Sequence, residues 1–217
     1  MVDNRVLIDA GPETYAHLQP LISQGKVKLE TILVTHEHPD HILGFQDLPH
    51  IYNSREINFY TTKPVLAGIK RTFPFPLSPI KPIVVSENER IRLNGNTTFE
   101  YFPVVHGNTQ AFGVKYKSGK FFAYIPDFNR ILPSQQKVIR GCDLLMIDGS
   151  SLGQIGQSRG HISITVGIEI AKNLKAKQIY FIHIGHKTGI HEYLENFVLE
   201  FGGRNFHISF DGLEIEL

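Results

Sequence analysis

Four residues of the kinds that bind metal ions lie within six positions, directly after an apolar segment. The stretch reads His36-Glu37-His38-Pro39-Asp40-His41. It follows Thr31–Thr35, whose apolar and β-branched residues predict a strand. Because the chain must turn there, His36 and His38 can face one ion while Asp40 and His41 face a second. A solvated polar turn is the alternative, and four ligand types after one apolar strand argue against it.

Three more residues of ligand type each end a predicted strand. They are His106 after Phe102–Val105, Asp127 after Phe121–Pro126, and His183 after Ile179–Ile182. Any one of them alone would be read as a loop residue, but together with the histidine motif they predict a metal centre. We assign the ligands to two ions: His36, His38 and His106 to the first, Asp40, His41 and His183 to the second, and Asp127 as a bridge.

Two paired metal ions predict hydrolysis of an anionic substrate. Two divalent ions bring four positive charges, and two carboxylates with a bridging hydroxide remove three of them. The remaining positive charge suits a phosphate ester, and paired ions hold both the attacking and the leaving oxygen. Zinc and manganese both fit a site rich in imidazole, and the ligand types do not choose between them.

The elements that must position these ligands are mostly strands. Strands are predicted at Arg5–Asp9, Thr31–Thr35, Ile57–Tyr60, Ile80–Val85, Thr97–Val105, Ala111–Tyr116, Lys120–Ile125, Leu144–Ile147, Gln178–Ile182, Asn205–Phe210 and Leu213–Leu217. Helices are predicted at Glu13–Ser23, His41–Leu48, Lys63–Phe73 and Ile164–Lys175. This pattern predicts a layered α/β protein with at least one antiparallel sheet. The proline-rich segment 73–82 is interpreted as an extended surface loop within one domain.

Composition narrows the class of protein. The chain has 217 residues, which fits one domain, and its 22 basic and 21 acidic residues leave a net charge of +1. That balance argues against nucleic acid as a partner. The single cysteine, Cys142, excludes an internal disulfide and a multi-cysteine zinc cluster. Because no apolar run is long enough to span a bilayer, we expect a cytoplasmic protein without a membrane partner.

The order of these motifs resembles the metallo-β-lactamase superfamily, in which HxHxDH is followed by a single His, Asp and His. Within it, the chain is similar to the phosphoribosyl 1,2-cyclic phosphate phosphodiesterase group of phosphonate utilisation. The similarity is carried by Leu7–Pro12, Thr35–Leu48, Gly160–Ile164, Phe181–His186 and Phe210–Ile215. The resemblance implies an αββα sandwich, with two mixed β-sheets flanked by helices.

The resemblance has two departures. Members of the group begin several tens of residues before the counterpart of Leu7–Asp9, so we expect a single domain over 1–217 that lacks the N-terminal strand region or is a fragment. Some relatives hold an extra structural zinc with cysteines, and a chain with only Cys142 is expected to lack that site.

The resemblance implies a dinuclear metal-dependent hydrolase that cleaves a phosphodiester, most simply a cyclic one, with a metal-bridging hydroxide. Asp40 and His161 are the candidate catalytic residues, and Asp40 is also a ligand. The resemblance places His161 over the substrate phosphate, where it would donate a proton to the departing alkoxide. Capping of the following helix is the alternative role for His161.

Three other function classes stay open. A tRNA-maturation endonuclease and a thioester or lactone hydrolase share the motif, and a non-enzymatic metal-binding scaffold is the third. The low net charge argues against tRNA, and the intact ligand set argues against a scaffold. We expect a small anionic phosphodiester as substrate, and a homodimer is left open.

Four further residues lie near the motifs, and three of them have alternative interpretations. Asp9, at the end of a buried strand, either orients a ligand histidine or caps a turn. Glu37, between two inward histidines, should point away from the metals. His186 and His191 are expected at the rim of the pocket, with a contact to a ligand as the alternative.

Overall fold

The computed structural model describes residues 1–51, 56–75, 80–153 and 160–217. They form two compact units, Met1–Glu87 and Asn88–Leu217. Residues 76–79 of the predicted proline-rich loop lie outside the described part. Among the described residues, no helix has both the length and the apolarity needed to cross a membrane. The expectation of one domain over 1–217 stays a prediction.

The first unit is a parallel sheet with helical connections. Its strands are β1 (Val6–Ile8), β2 (Thr31–Leu33), β3 (Ile57–Thr61) and β4 (Ile80–Val84), and its helices are α1 (Thr14–Ser23), α2 (Pro39–Ile42), α3 (Leu48–Ile51) and α4 (Lys63–Thr72). The strand order is β1-β2-β3-β4, and each neighbouring pair is parallel. Since parallel strands need long crossovers, each connection carries a helix. The carboxyl ends of β1 and β2 therefore lie at one edge.

The predicted helix over His41–Leu48 is broken into shorter pieces. Helix α2 begins at Pro39, whose fixed φ suits a first helical position, and ends at Ile42. A 3-10 turn over Leu43–Gln46 and then α3 follow. The backbone of Ala10 explains the break, because its N–H donates to the His41 carbonyl at 2.7 Å and its carbonyl accepts from Gly44 N at 2.9 Å. Hydrogen bonds with Ala10, two residues beyond β1, therefore take the place of the bonds that would continue the helix.

The second unit is a mixed sheet with three helices among its described residues. Its strands are β5 (Ile91–Arg92), β6 (Thr98–His106), β7 (Thr109–Ser118), β8 (Lys120–Ile125), β9 (Leu144–Asp148), β10 (Gln178–Ile182) and β11 (Phe206–Ile208), and its helices are α5 (Pro133–Ile139), α6 (Ile164–Leu174) and α7 (His191–Phe201). The order is β11-β10-β9-β8-β7-β6-β5. Strands β8 to β11 are parallel, whereas β5 to β8 are antiparallel. The predicted α6 stripe of Ile164, Ile168, Ala171 and Leu174 is buried in this unit's core.

The α/β class with two sheets and helices is confirmed, with local differences. The first sheet is parallel across its described strands rather than mixed. The predicted strand at Leu213–Leu217 is wrong: a turn follows β11, and these last residues are exposed or half-buried and irregular. Helix α7 was not predicted, although Leu194 and Val198 are buried at helical spacing. The short elements β5 and α5 were also missed.

Candidate metal centre and active site

The HxHxDH motif gathers its imidazoles in the first unit. The ring centroid of His36 lies 4.6 Å from that of His38 and 4.1 Å from that of His41. Asp40, in the first turn of α2, places Oδ2 3.5 Å from Nε2 of His41. His36 and His41 are buried, whereas the Asp40 side chain is 56% exposed. The turn therefore brings four predicted ligands together, with the carboxylate on the solvent side.

Asp9 organises this turn from the end of β1. Its Oδ2 lies 2.9 Å from Nδ1 of His41, and its Oδ1 accepts a hydrogen bond from the backbone N–H of Thr35 at 2.8 Å. Asp9 is buried and has a left-handed backbone, with φ at 58°. Aspartate tolerates that conformation better than most residues. Of the two interpretations of Asp9, the structure supports orientation of a histidine.

Thr35 extends this network to His36. Its hydroxyl donates to the Asp9 carboxylate at 2.9 Å and lies 3.0 Å from Nδ1 of His36. A hydroxyl has a single proton, and Thr35 donates it to Asp9. The Thr35 oxygen can therefore only accept in its contact with His36, so Nδ1 of His36 carries a proton. Asp9 likewise accepts from Nδ1–H of His41. Both rings then present the Nε2 lone pair, which is the tautomer that binds a metal through Nε2.

Asp127 lies between two histidines in the second unit. Its Oδ2 is 3.6 Å from Nε2 of His106, and its Oδ1 is 3.5 Å from Nε2 of His183. Asp127 is buried, and each of its oxygens faces a different imidazole. Nδ1–H of His106 donates to the carbonyl of Gly160 at 2.6 Å, which directs Nε2 toward Asp127. A carboxylate divided between two histidines fits the predicted bridging role.

The parallel strands of the second sheet explain why these side chains meet. β8, β9 and β10 are neighbours and run in the same direction, so Asp127, Asp148 and His183 follow or end them at one edge. His106 ends β6 at the same edge, because β6 and β8 are both antiparallel to β7. His183 has a left-handed backbone, with φ at 56°. Such a conformation is uncommon for histidine and is often found at functional sites.

A second connection holds the His106 hairpin to the Asp127 loop. Val105 and Arg130 form an isolated antiparallel bridge. The Asn129 side chain also accepts a hydrogen bond from the backbone N–H of Gly107 at 2.7 Å. The backbone next to His106 is thereby tied to the segment that follows Asp127, which keeps the two side chains close together.

His161 lies among the predicted ligands of the second unit. Its ring stacks on His183 with centroids 5.1 Å apart and meets His106 edge-on at 5.2 Å. Its Nδ1 lies 2.9 Å from Oδ2 of Asp148. The cap of α6 is Ser163, whose hydroxyl accepts from Val166 N at 3.3 Å. The capping alternative for His161 is therefore wrong, and α6 begins at Ile164, three residues beyond His161.

Asp148 is the residue that sequence reasoning missed. It is fully buried at the end of β9 and accepts hydrogen bonds from the backbone N–H of Ser150 and the ring of His161. The signal was present, because Asp148 ends an apolar strand just as His106 does. The rule that predicted His106, Asp127 and His183 from the ends of strands also applies to Asp148.

The remaining predicted residues lie farther out. Glu37 points away from the histidines, as expected, and its Oε1 accepts from Nη2 of Arg71 at 2.9 Å. His186 and His191 are exposed, and the His191 ring meets Phe210 edge-on at 5.6 Å. Their place at a pocket rim stays a prediction.

Comparison with known proteins identifies the family. Residues 4–184 match the model of the β-lactamase superfamily domain. The chain belongs to the metallo-β-lactamase superfamily. This assignment agrees with the α/β class and with the order of motifs along the chain. The resemblance inferred from the motifs is thereby confirmed.

Three similar proteins are informative for this superfamily member. An octanoyltransferase of Porphyromonas gingivalis is 28% identical over 217 residues, covering 97% of this chain and 42% of the relative. A ribonuclease Z of Bradyrhizobium diazoefficiens is 30% identical over 166 residues, covering 71% of this chain and 50% of the relative. The crystal structure of a diphosphatase from the PhnP family is 29% identical with a TM-score of 0.83, covering 100% of this chain and 82% of that one. The chain thus spans half or less of the two curated relatives.

The donor chemistry of both units fits divalent metal ions. Imidazole nitrogens and carboxylate oxygens are the donors that zinc and manganese accept in proteins. The oriented rings of His36, His41 and His106 each have Nδ1 against an oxygen, as metal-bound histidines do. This chain therefore has the donor groups and the supporting hydrogen bonds that a metal centre needs.

Proposed function

We propose that this chain is a dinuclear metal-dependent hydrolase that cleaves phosphodiesters. In this proposal the two ligand sets hold a pair of divalent ions, zinc or manganese. His36, His38 and His106 would hold the first ion, Asp40, His41 and His183 would hold the second, and Asp127 would be shared by both. The observation that carries the proposal is the position of Asp127, whose two oxygens each face a different histidine at 3.6 and 3.5 Å.

Metal ions of this kind supply Lewis-acid stabilisation of phosphate charge and lower the pKa of water. The chain itself supplies the geometry. Asp9 and Thr35 hold His41 and His36 in the required tautomer, and the Gly160 carbonyl does the same for His106. Asp40, whose side chain is 56% exposed, would accept a hydrogen bond from the attacking water.

His161 is proposed to donate the proton that the leaving alkoxide needs. Asp148 accepts from Nδ1, so the proton that His161 exchanges is the one on Nε2. The buried Asp148 carboxylate also stabilises the positively charged form of the ring before the proton is given. A positioned general acid of this kind contributes about 10²–10⁴ in rate.

A phosphodiester is favoured over a neutral ester by charge. Two divalent ions exceed the charge of Asp40 and Asp127, which leaves the proposed site attractive to an anion. The similarity to a diphosphatase of the PhnP family supports a substrate with phosphate groups. We propose a small molecule rather than an RNA, because the net charge of +1 provides no broad electrostatic attraction for a polyanion.

Thioester hydrolysis is the second candidate function. It is favoured by the match of 97% of this chain to part of a protein named octanoyltransferase. A thioester needs no protonated leaving group, since a thiolate is a far better leaving group than an alkoxide. The two functions therefore differ in their need for His161.

The deciding experiment compares two substrates on protein purified without chelator. We expect about two divalent ions per chain. We also expect turnover of bis-p-nitrophenyl phosphate that disappears with chelator and returns with zinc or manganese. An octanoyl thioester serves as the competing substrate. Turnover of the thioester alone would replace the proposal with the second candidate, and two bound ions with neither activity would support a scaffold.

A further inference from the structure

A glycine occupies an unfavourable position within α4. Gly68 lies in the interior of this helix and is buried, although glycine destabilises helix interiors relative to alanine. A Cβ atom at Gly68 would overlap Oε2 and Cδ of Glu37 and would lie 2.8 Å from the Cβ of Glu37. The missing side chain thus leaves the space that the Glu37 side chain occupies.

Arg71 holds the other end of the same side chain. It lies three residues after Gly68, on the same face of α4, and its Nη2 donates to Oε1 of Glu37 at 2.9 Å. The Arg71 side chain is 68% exposed, so the ion pair by itself contributes little stability. The ion pair instead orients the side chain, because it holds the Glu37 carboxylate over Gly68.

Glu37 stands between two predicted metal ligands. In an extended segment successive side chains point to opposite sides, so a Glu37 side chain fixed on α4 directs its neighbours to the other side. His36 and His38 are those neighbours, and their rings lie 4.6 Å apart. The contact with α4 therefore constrains the direction of both imidazoles.

We propose that α4 positions the first metal centre through Glu37. The side chain of Glu37, seated over Gly68 and held by Arg71, preorganises His36 and His38 for metal binding. Ligands held in place before binding lose less entropy when the ion arrives, which raises affinity. Glu37, Gly68 and Arg71 are positioning residues, and this inference rests on the proposed metal-dependent function.

A double-mutant cycle on Gly68 and Glu37 tests the contact between α4 and the HxHxDH turn. Gly68→Ala should displace Glu37 and weaken zinc binding by about 10- to 100-fold, the usual effect of losing a residue that supports a ligand. Glu37→Ala should weaken binding as well. The double variant should lose less affinity than the sum of the two single losses, because the overlap with Oε2 and Cδ of Glu37 is gone and only the 2.8 Å approach between the two Cβ atoms must still be relieved by a small shift. Affinity is measured by competition with a chromophoric chelator.

Variants of exposed residues test the same proposal without disturbing the helix interior. Arg71→Ala should weaken zinc binding several-fold, and Arg71→Lys should recover part of the loss. Lys70→Ala is the matched control, since it removes the adjacent exposed cation. The visible absorption of bound cobalt should change in Arg71→Ala and not in Lys70→Ala. Thermal unfolding of the metal-free forms should be nearly the same for both.

Three outcomes separate this inference from the proposed function. If the wild-type protein binds two ions and the Glu37→Ala and Arg71→Ala variants bind them equally well, the role of α4 is overturned and the proposed function is not. Additive losses in the double-mutant cycle also overturn the role of α4. Wild-type protein that binds no divalent ion overturns both proposals. If Gly68→Ala does not fold, the Arg71 and Glu37 variants decide the question.

Discussion

The Asp148 carboxylate and the His161 imidazole form a partly buried pair, with Oδ2 and Nδ1 2.9 Å apart, although 13 positions separate them in the chain. Asp148 is completely shielded from solvent, whereas the His161 side chain is 21% exposed. The pair thus has a closed end at Asp148 and an accessible end at His161. That asymmetry is what a proton donor to a substrate needs.

His161→Ala should impair turnover according to the leaving group. We expect about a 10²–10⁴-fold loss of kcat with an alkyl phosphodiester, because its alkoxide needs a proton to depart. The loss should be much smaller with a p-nitrophenyl ester, whose phenolate departs without help. Asp148→Asn should show a weaker form of the same pattern, measured by steady-state kinetics on both substrates.

Asp143→Asn is the control for this prediction, since it removes a carboxylate just before the opposite end of β9. Its kcat should stay near the wild-type value at 25 °C. Equal losses on both leaving groups in His161→Ala would argue against proton donation. Loss of a metal ion in that variant would make His161 a ligand instead.

Asp127→Ala should damage metal binding more than His106→Ala does. Asp127 contacts both His106 and His183, so its loss weakens both centres and removes a balancing charge. His106→Ala should release one ion and retain the other. Elemental analysis after reconstitution checks both variants, with exposed Asp211→Ala as a control. Two ions and full turnover in both variants would show that the ligand assignment is wrong.

Asp9→Asn should weaken metal binding by about 10- to 100-fold, the usual effect of altering a group that supports a ligand histidine. Asparagine also tolerates the left-handed backbone that Asp9 adopts, so the change acts through charge and hydrogen bonding rather than strain. Asp3→Asn is a matched control, because Asp3 is exposed and has a φ of 49°. Metal affinity is read by chelator competition. Equal affinities in the two variants would remove Asp9 from the site.

Asp143 should contribute a small stability that depends on pH. Its hydrogen bond from the Lys177 ammonium at 2.7 Å, aided by one from Phe121 N, lowers the pKa of Asp143 below its usual 3.8. A lowered native pKa stabilises the fold above the unfolded value, and this contribution is lost as pH falls through the native value. Asp143→Asn should therefore lower the Tm by about 1–3 °C at pH 7.

The difference in Tm between Asp143→Asn and wild type should shrink as pH falls below about 3.8. Calorimetry from pH 7 downward, with chelator present throughout, measures it without a contribution from metal release. Lys177→Met should reproduce part of the loss at pH 7. A difference that stays constant over the whole range would contradict the ionic origin of the effect.

Cys142 should be inert in the folded protein. It is buried in the core of the second unit, and burial raises the pKa of its thiol to about 12. At pH 8 only about one thiol in ten thousand is then ionised, and the thiolate is the reactive form. A disulfide reagent such as DTNB should titrate no thiol in native protein and one per chain in guanidinium. Fast reaction of the native protein would place Cys142 near the surface.

Local patterns in the sequence were enough to predict the candidate ligands and most of the strands and helices that carry them. His106 and His183 could be found because each ends an apolar run. The ends of strands can be predicted from the pattern of a few neighbouring residues. The apolar stripe on α6 could be predicted for the same reason, because it depends only on residue spacing within the helix. The family assignment also followed from motif order, since that order is a property of the chain itself.

Only the tertiary structure decided which side chains contact the predicted ligands. Asp9 reaches His41 over 32 positions, and Glu37 reaches Arg71 over 34. Asp148 acquires its partner only when β9 pairs in register between β8 and β10. The break after Ile42 likewise depends on backbone hydrogen bonds with Ala10. Such contacts depend on strand order and on where helices pack, which no local spacing encodes, because residues distant in sequence become neighbours only when the sheet forms.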